Sequence, residues 1–193
     1  MTIILDTESN GNNPPEICQL AYIAVDSAGV CGRNFFFSIN SMNEYAFQVH
    51  GLSKRRLFDL SLGRGFSERL EEFGDELLTA DMIVGHNISA DLAVLRREFH
   101  CCGMKFQPCH ALCTMKQFEG TMNLHGKTGK RKPPNLRELC VYFGITDTAV
   151  QDACAELFSL SDGSRAHDAR FDATATYLCI IEAQRRGELK GVL

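Results

Sequence analysis

Ile3-Ile4-Leu5-Asp6-Thr7-Glu8 runs three apolar residues straight into two carboxylates separated by one residue. A short apolar run bounded by charge reads as a buried strand, Thr2 to Leu5, with Asp6 at its C-terminal end. Residues i and i+2 of a strand point to the same side, so Asp6 and Glu8 share a face. The pattern recurs at Met82-Ile83-Val84, followed by Gly85-His86-Asn87 and then Asp91. A third group, His167-Asp168-Ala169-Arg170-Phe171-Asp172, sets a His-x4-Asp spacing where a long helical pattern begins. Singly, each has a plainer reading. Asp6 is a surface acid, His86-Asn87 a turn with a helix cap, and His167-Asp168 a helix N-terminus where the dipole favours acids. Their order, each after the right kind of element, makes them specific.

Outward from the first strand, Ser9 to Pro15 is a polar loop. Ile17 to Val25 and Asn34 to Ile39 read as strands joined by a turn at Asp26-Ser27-Ala28-Gly29. Phe66, Leu70, Phe73 and Leu77 fall at helical spacing and predict one amphipathic helix over Phe66 to Leu78. Met82 to Val84 is a short strand, Ser89 a candidate N-cap, and Ala90 to Phe99 a helix with Leu92 and Leu95 in its core. Gly120 to Pro134, rich in Gly and Lys, reads as a mobile loop. Asn135 to Phe143 is a short helix, and Thr148 to Leu160 another, with Val150, Cys154 and Leu157 on one face. Ala169 to Arg186 is the long closing helix. Strands first, then helices around a central strand, predict an α/β protein with a sheet of mixed direction.

The length of 193 residues fits one domain, 1–193, with a single core. The N-terminus lacks the basic flank and long apolar core of a signal peptide. No run approaches the roughly 20 apolar residues that cross a bilayer, so a soluble, cytoplasmic protein is expected. The nine cysteines sit mostly within apolar or helical stretches, as thiols packed as small hydrophobes do. His100-Cys101-Cys102 with Cys109-His110 and Cys113 offers a zinc alternative, but it lacks a paired Cys-x2-Cys framework.

The three motifs resemble those of the DEDDh group of 3′→5′ exonucleases, the DnaQ-like family of proofreading subunits, RNase T and oligoribonuclease. Pro15 to Ala21 (PEICQLA), His50-Gly51-Leu52, and Asn135 to Leu139 followed by Phe143-Gly144-Ile145 are also similar, so the resemblance runs from about Asp6 to about Ile181. It implies a ribonuclease-H-like fold: a mixed five-stranded sheet, first strand in the middle, flanked by helices. It also implies 3′→5′ hydrolysis of single-stranded DNA or RNA, releasing nucleoside 5′-monophosphates. The residue types suit that chemistry. Two Mg²⁺ or Mn²⁺ ions about 3.5–4 Å apart activate water and stabilise phosphoryl charge, and such hard ions take carboxylate oxygens. Asp6, Glu8, Asp91 and Asp172 are the candidate metal ligands, with Asp6, Glu8 and Asp172 around one centre and Asp91 opposite. By resemblance His167, on a loop before the last helix, is the general base, a task that imidazole suits. Thr7, Ser9, His50 and Leu52 are expected around the 3′ nucleotide. His86 and Asn87 are expected to orient Asp91 or to contact phosphate. The helix near 148–160 departs from the family, whose members often pass more directly from the Phe-Gly-Ile turn to the final histidine.

A net charge of −4 argues against a tight, non-specific duplex binder. Basic residues nonetheless cluster at Lys54-Arg55-Arg56, at Arg96-Arg97, and from Lys127 to Lys132, compatible with an enzyme that grips a few nucleotides. The first cluster reads equally as a solvated helix face. The last, within His125 to Lys132 (HGKTGKRK), is either an electrostatic arm over the substrate channel or a plain surface loop. Nothing in the residues separates DNA from RNA, so a strict exoribonuclease stays open. A non-catalytic nucleic-acid-binding module is the alternative of a different class, although all five expected side chains are present. A homodimer is expected by analogy only. Association with a polymerase stays open, although the tail after Arg186 is short for an extended partner-binding segment.

Overall fold

In the computed structural model, which describes residues 1–160 and 166–193, β1 (Thr2–Ser9) outruns its apolar stretch. Its carboxylate half stays paired with β2 (Ile17–Asp26) in an antiparallel register that sets Ile4 against Ile23, Asp6 against Ala21 and Glu8 against Gln19. A tight turn leads to β3 (Gly29–Phe36), which begins well before the predicted Asn34. Its first residues are mostly exposed and polar or small, so they carry no alternation to read. Phe37 and Ile39 are buried but lie beyond the strand.

Asn43 and Ser53 cap α1 (Glu44–His50) and α2 (Lys54–Ser61), accepting the N–H groups of Tyr45 and Arg56. The single helix predicted over Phe66 to Leu78 is instead α3 (Phe66–Arg69), a 3-10 turn (Leu70–Glu72) and α4 (Gly74–Thr79). The break falls at Phe73, whose backbone leaves helical geometry at φ −146 while its ring packs on Phe35, Phe37 and Phe66. Helical spacing survives because all the pieces face the same core.

Then β4 (Met82–Gly85) runs parallel to β1, and α5 (Ser89–Cys101) follows. Ile88 holds the N-cap position predicted for Ser89, and Asn87 makes the turn before it at φ 63. β5 (His110–Cys113) runs parallel to β4, giving the sheet order β3-β2-β1-β4-β5 with β1 in the middle, as expected. α6 (Thr114–Met122) takes up the start of the predicted loop. The remainder is a small hairpin: Gly126 N–H donates to Lys130 O at 2.8 Å and Lys132 N–H to Leu124 O at 2.9 Å. α7 (Leu136–Phe143) opens on a capping box between Asn135 and Glu138. α8 (Asp147–Phe158) and α9 (Ala169–Arg185) complete the chain's described helices.

The sheet separates two apolar layers. Ile3, Leu5, Leu20 and Tyr22 meet the aromatic layer of Phe66, Phe73 and Phe99. Ile4, Ile23 and Val84 meet α7 and α9 through Phe143, Phe171, Cys179 and Ile180. The additional helix α8 packs on α9 and on β3. It can do so because Gly32 has no side chain: a Cβ there would lie 2.4 Å from the Leu157 carbonyl oxygen. Cys18, Cys140, Cys154 and Cys179 are buried as expected, whereas Cys31, Cys101 and Cys109 are exposed. No helix among the described residues is long and apolar enough to cross a membrane.

Candidate active site

Beyond the Ile4–Val84 pair, β1 keeps only β2 as a neighbour. The chain leaves β4 at Gly85 in a close turn, where an added Cβ would lie 2.5 Å from Ile88 Cδ1 and 3.0 Å from Leu5 O and would force Ile88 to shift. That turn brings the start of α5 beside the freed edge of β1. Asp6 and Glu8 continue the Ile4 face, which α9 covers. Small residues of α9, including Ala173, Ala175 and Thr176, let the helix lie close over the sheet. Its first turn then delivers Asp172. Carboxylate oxygens of Asp6, Glu8 and Asp172 all lie within 4.8 Å of one another.

Asp91, in the first turn of α5, approaches Asp6 from the other face. Thr7 holds it there: its backbone N–H donates to Asp91 Oδ1 at 3.0 Å and its hydroxyl to the same oxygen at 2.7 Å. Thr7 therefore does the orienting expected of His86. His86 instead fastens the turn, its Nε2–H donating to Pro134 O at 3.1 Å while Nδ1 lies 3.0 Å from the Thr114 hydroxyl.

Burial, then the charges of Asp91, Asp172 and Glu8, raise the Asp6 carboxyl well above the ordinary range. Burial and the neighbouring Asp172 and Asp168 push Glu8 up to about 8. Burial raises Asp91 and Asp172 to about 6, against the bonds from Thr7 in one case and the charge and N–H of His167 in the other. The charges acting most strongly on Asp6 are all carboxylates. An all-oxygen donor set crowded with negative charge fits a hard divalent cation.

Residues that the motifs did not single out hold the α9 end of the site. Asp168 caps α9, accepts from Arg170 Nη2 at 2.5 Å and from Gln19 Nε2 at 3.0 Å, and so ties the helix to β2. Gln19 lies on β2 beside Glu8, and Arg170 balances a fifth acid near the cluster. The only trace in the sequence was the acid–base pair inside HDARFD. His167 is exposed, holds φ 64, and donates its N–H to Asp172 Oδ2 at 3.2 Å. Left-handed backbone at a non-glycine residue is strained and concentrates at functional sites. Residues 161–165, the rest of the loop expected before it, lie outside the described residues.

Two of the expected nucleotide contacts are buried in this structure. His50 is buried with both ring nitrogens committed: Nδ1 accepts from Leu52 N–H at 3.0 Å, and Nε2–H donates to Ser9 O at 3.3 Å. Leu52 is buried with Cys18, Ile39 and Leu57. Both build the wall beside the site. Ser9 is half-buried and fixed through its carbonyl, while Asn87 is exposed.

No curated protein sequence matches this chain significantly. In fold it is similar to apo exonuclease I (TM-score 0.71, 16% identity over 95% of this chain and 42% of that one). Product-bound exonuclease I gives 0.71 at 17% identity, over 97% and 44%. The zinc-bound form of the E. coli exonuclease I complex with single-stranded DNA gives 0.68 at 16%, over 96% and 40%. The chain thus spans under half the length of these proteins, and the shared fold is ribonuclease-H-like. The RNase T family model, described as exonuclease, matches residues 3–179, and the chain belongs to that family within the DnaQ-like superfamily.

Proposed function

We propose that the chain is a 3′→5′ exonuclease that removes nucleoside 5′-monophosphates from single-stranded nucleic acid. The observation that carries this reading is the group of Asp6, Glu8 and Asp172, with oxygens within 4.8 Å and Asp91 held opposite by Thr7. These four would hold two divalent ions, Mg²⁺ or Mn²⁺. When bound, such ions supply water activation and charge stabilisation on the phosphoryl group. His167, exposed beside Asp172, would take the proton of the attacking water. The Asp168–Arg170 pair and Gln19 position the helix end from which His167 and Asp172 project. Exposed Asn87, at the mouth between β4 and α5, is the remaining candidate for a phosphate contact. Single-stranded DNA is the favoured substrate, because a structural relative is described in complex with it.

The test is Mg²⁺-dependent shortening of a 5′-labelled oligonucleotide, run as DNA and as RNA. A ladder receding from the 3′ end with mononucleotide products supports the reading. An intact oligonucleotide or internal cuts would sink it, and shortening of RNA alone would favour an exoribonuclease. His167→Ala should lower turnover by about 10²–10⁴-fold while leaving metal affinity intact.

A further inference from the structure

Arg96 and Arg97 are adjacent in sequence and opposite in use. Arg97 donates to the Pro15 carbonyl and pairs with Glu98. Arg96 is exposed on the other side of α5, where it lines two neighbouring open cavities of about 660 and 520 Å³. The second begins at Ile88 and Ser89, at the start of α5, and includes Lys116 in the first turn of α6. The first continues past His100 to Lys105, beyond the end of α5. Ser89 to Gly103 spans about 20 Å at 1.5 Å per helical residue. The two cavities meet at Arg96 and together follow α5 from Ile88 and Ser89, one turn before Asp91, along the edge strand β5 and past the end of the helix.

No carboxylate lines either cavity, although the chain is acidic overall. On the other flank of α5, Glu16, Glu68 and Glu98 line the cavities, and the cation there, Arg97, is paired with Glu98. Arg96, Lys105 and Lys116 are exposed and enter no ion pair among the described residues. The predicted basic arm is more heavily committed. Lys132 is bound to Glu138, and Arg131 donates to the carbonyls of Glu119 and Gly120. A polyanion leaving the carboxylate site meets cations on one flank of α5 and acids on the other.

We infer that the groove along α5 carries the single-stranded nucleic acid 5′ of the bond being cut, with its phosphates on Arg96, Lys116 and Lys105. The inference deepens the exonuclease reading and rests on it. Contacts of this kind read charge and not sequence, so DNA and RNA should use the groove alike.

The experiment compares wild type, Arg96→Ala/Lys116→Ala, and the charge-matched Arg33→Ala/Arg64→Ala, on β3 at the opposite sheet edge and just before α3. Fluorescence anisotropy with a labelled single strand of about 20 nucleotides, metal withheld, is read across a salt series. Each phosphate contact contributes about 0.7 to the log–log slope for single strands. The groove variant should therefore lose about 1.4 of slope, and the far variant almost none. In Mg²⁺, the groove variant should hydrolyse a dinucleotide at the wild-type rate and the long strand less efficiently. Equal slopes in all three proteins would overturn the groove, as would a wild type that does not bind the strand. A wild type that binds with the expected slopes yet cuts nothing would overturn the exonuclease reading and leave the groove standing.

Discussion

The two halves of β1 lie under the same helices and do opposite things. Ile3 and Ile4 have a strand on each side, and with Leu5 they face apolar layers above and below and are at most 1% exposed. Asp6, Thr7 and Glu8 have a strand on one side only and face carboxylates. Nothing about the backbone pairing to β2 changes between them until the irregularity at Glu8–Ser9. What changes is the partner on the other edge. β4 is four residues long, and its end opens the sheet where the chain turns at Gly85. A crevice at the carboxyl ends of parallel strands is where open α/β sheets place ligands. The first half of β1 stabilises the fold, and the second half costs stability for a charge cluster.

Matched substitutions should break that comparison most visibly. Asp6→Asn keeps the shape and removes one buried charge. Exonuclease turnover should fall by more than the roughly 100-fold that losing an outer partner costs at metal sites. The metal-free protein should become more stable, because a crowded like charge has gone. Phe73→Ala should do the reverse, costing about 3–5 kcal/mol of stability while the folded fraction turns over normally. Thermal melts and initial rates on the two variants decide it. Loss of stability in Asp6→Asn would show that the carboxylates hold the fold together.

The apolar half of β1 was legible because burial on both faces writes itself as a run of Ile and Leu, and α9 because its period is long. The carboxylates were legible through their spacing. Other features were set by contacts distant in sequence. The start of β3 is exposed, so its strand state depends on pairing with β2, such as Gly32 against Ile23, and on no pattern of its own. The break at Phe73 is decided by rings from β3 and α3. Thr7 reads as a spacer between two acids, and only the arrival of α5 makes it a ligand of Asp91. The burial of His50 and Leu52 was not legible either, because a turn motif does not reveal which way its side chains point.

A smaller effect should appear on titration. Folding raises Glu8 from 4.5 to about 8, and Asp91 and Asp172 from 3.8 to about 6. The folded state thus holds these protons more tightly than the unfolded state. Their favourable contribution is complete below the ordinary values and is lost as pH rises through about 6 and then about 8. Metal-free protein should therefore lose Tm between pH 5 and pH 8 relative to Glu8→Gln, which lacks the largest of these three shifts. Mg²⁺ should restore more stability at pH 8 than at pH 5, since it binds the ionised form. A metal shift equal at both pH values would mean that the ion binds elsewhere.

The finest test isolates one hydrogen bond. Thr7→Val keeps the β-branched shape that suits a strand and keeps the backbone N–H that reaches Asp91 at 3.0 Å, but deletes the hydroxyl that reaches it at 2.7 Å. Asp91 then retains one bond of the two, so its carboxylate should stay near the cluster with a looser orientation. Partners of metal ligands typically contribute about 10–100-fold in affinity or activity, and the loss here should lie toward the lower end. Thr7→Ser should recover most of it, because the donor returns. The Tm of both variants should stay near that of wild type, since β1 remains paired with β2 through Glu8. Full activity in Thr7→Val would mean that the backbone N–H alone orients Asp91. A collapse as deep as that of Asp6→Asn would put Thr7 among the groups that touch the substrate.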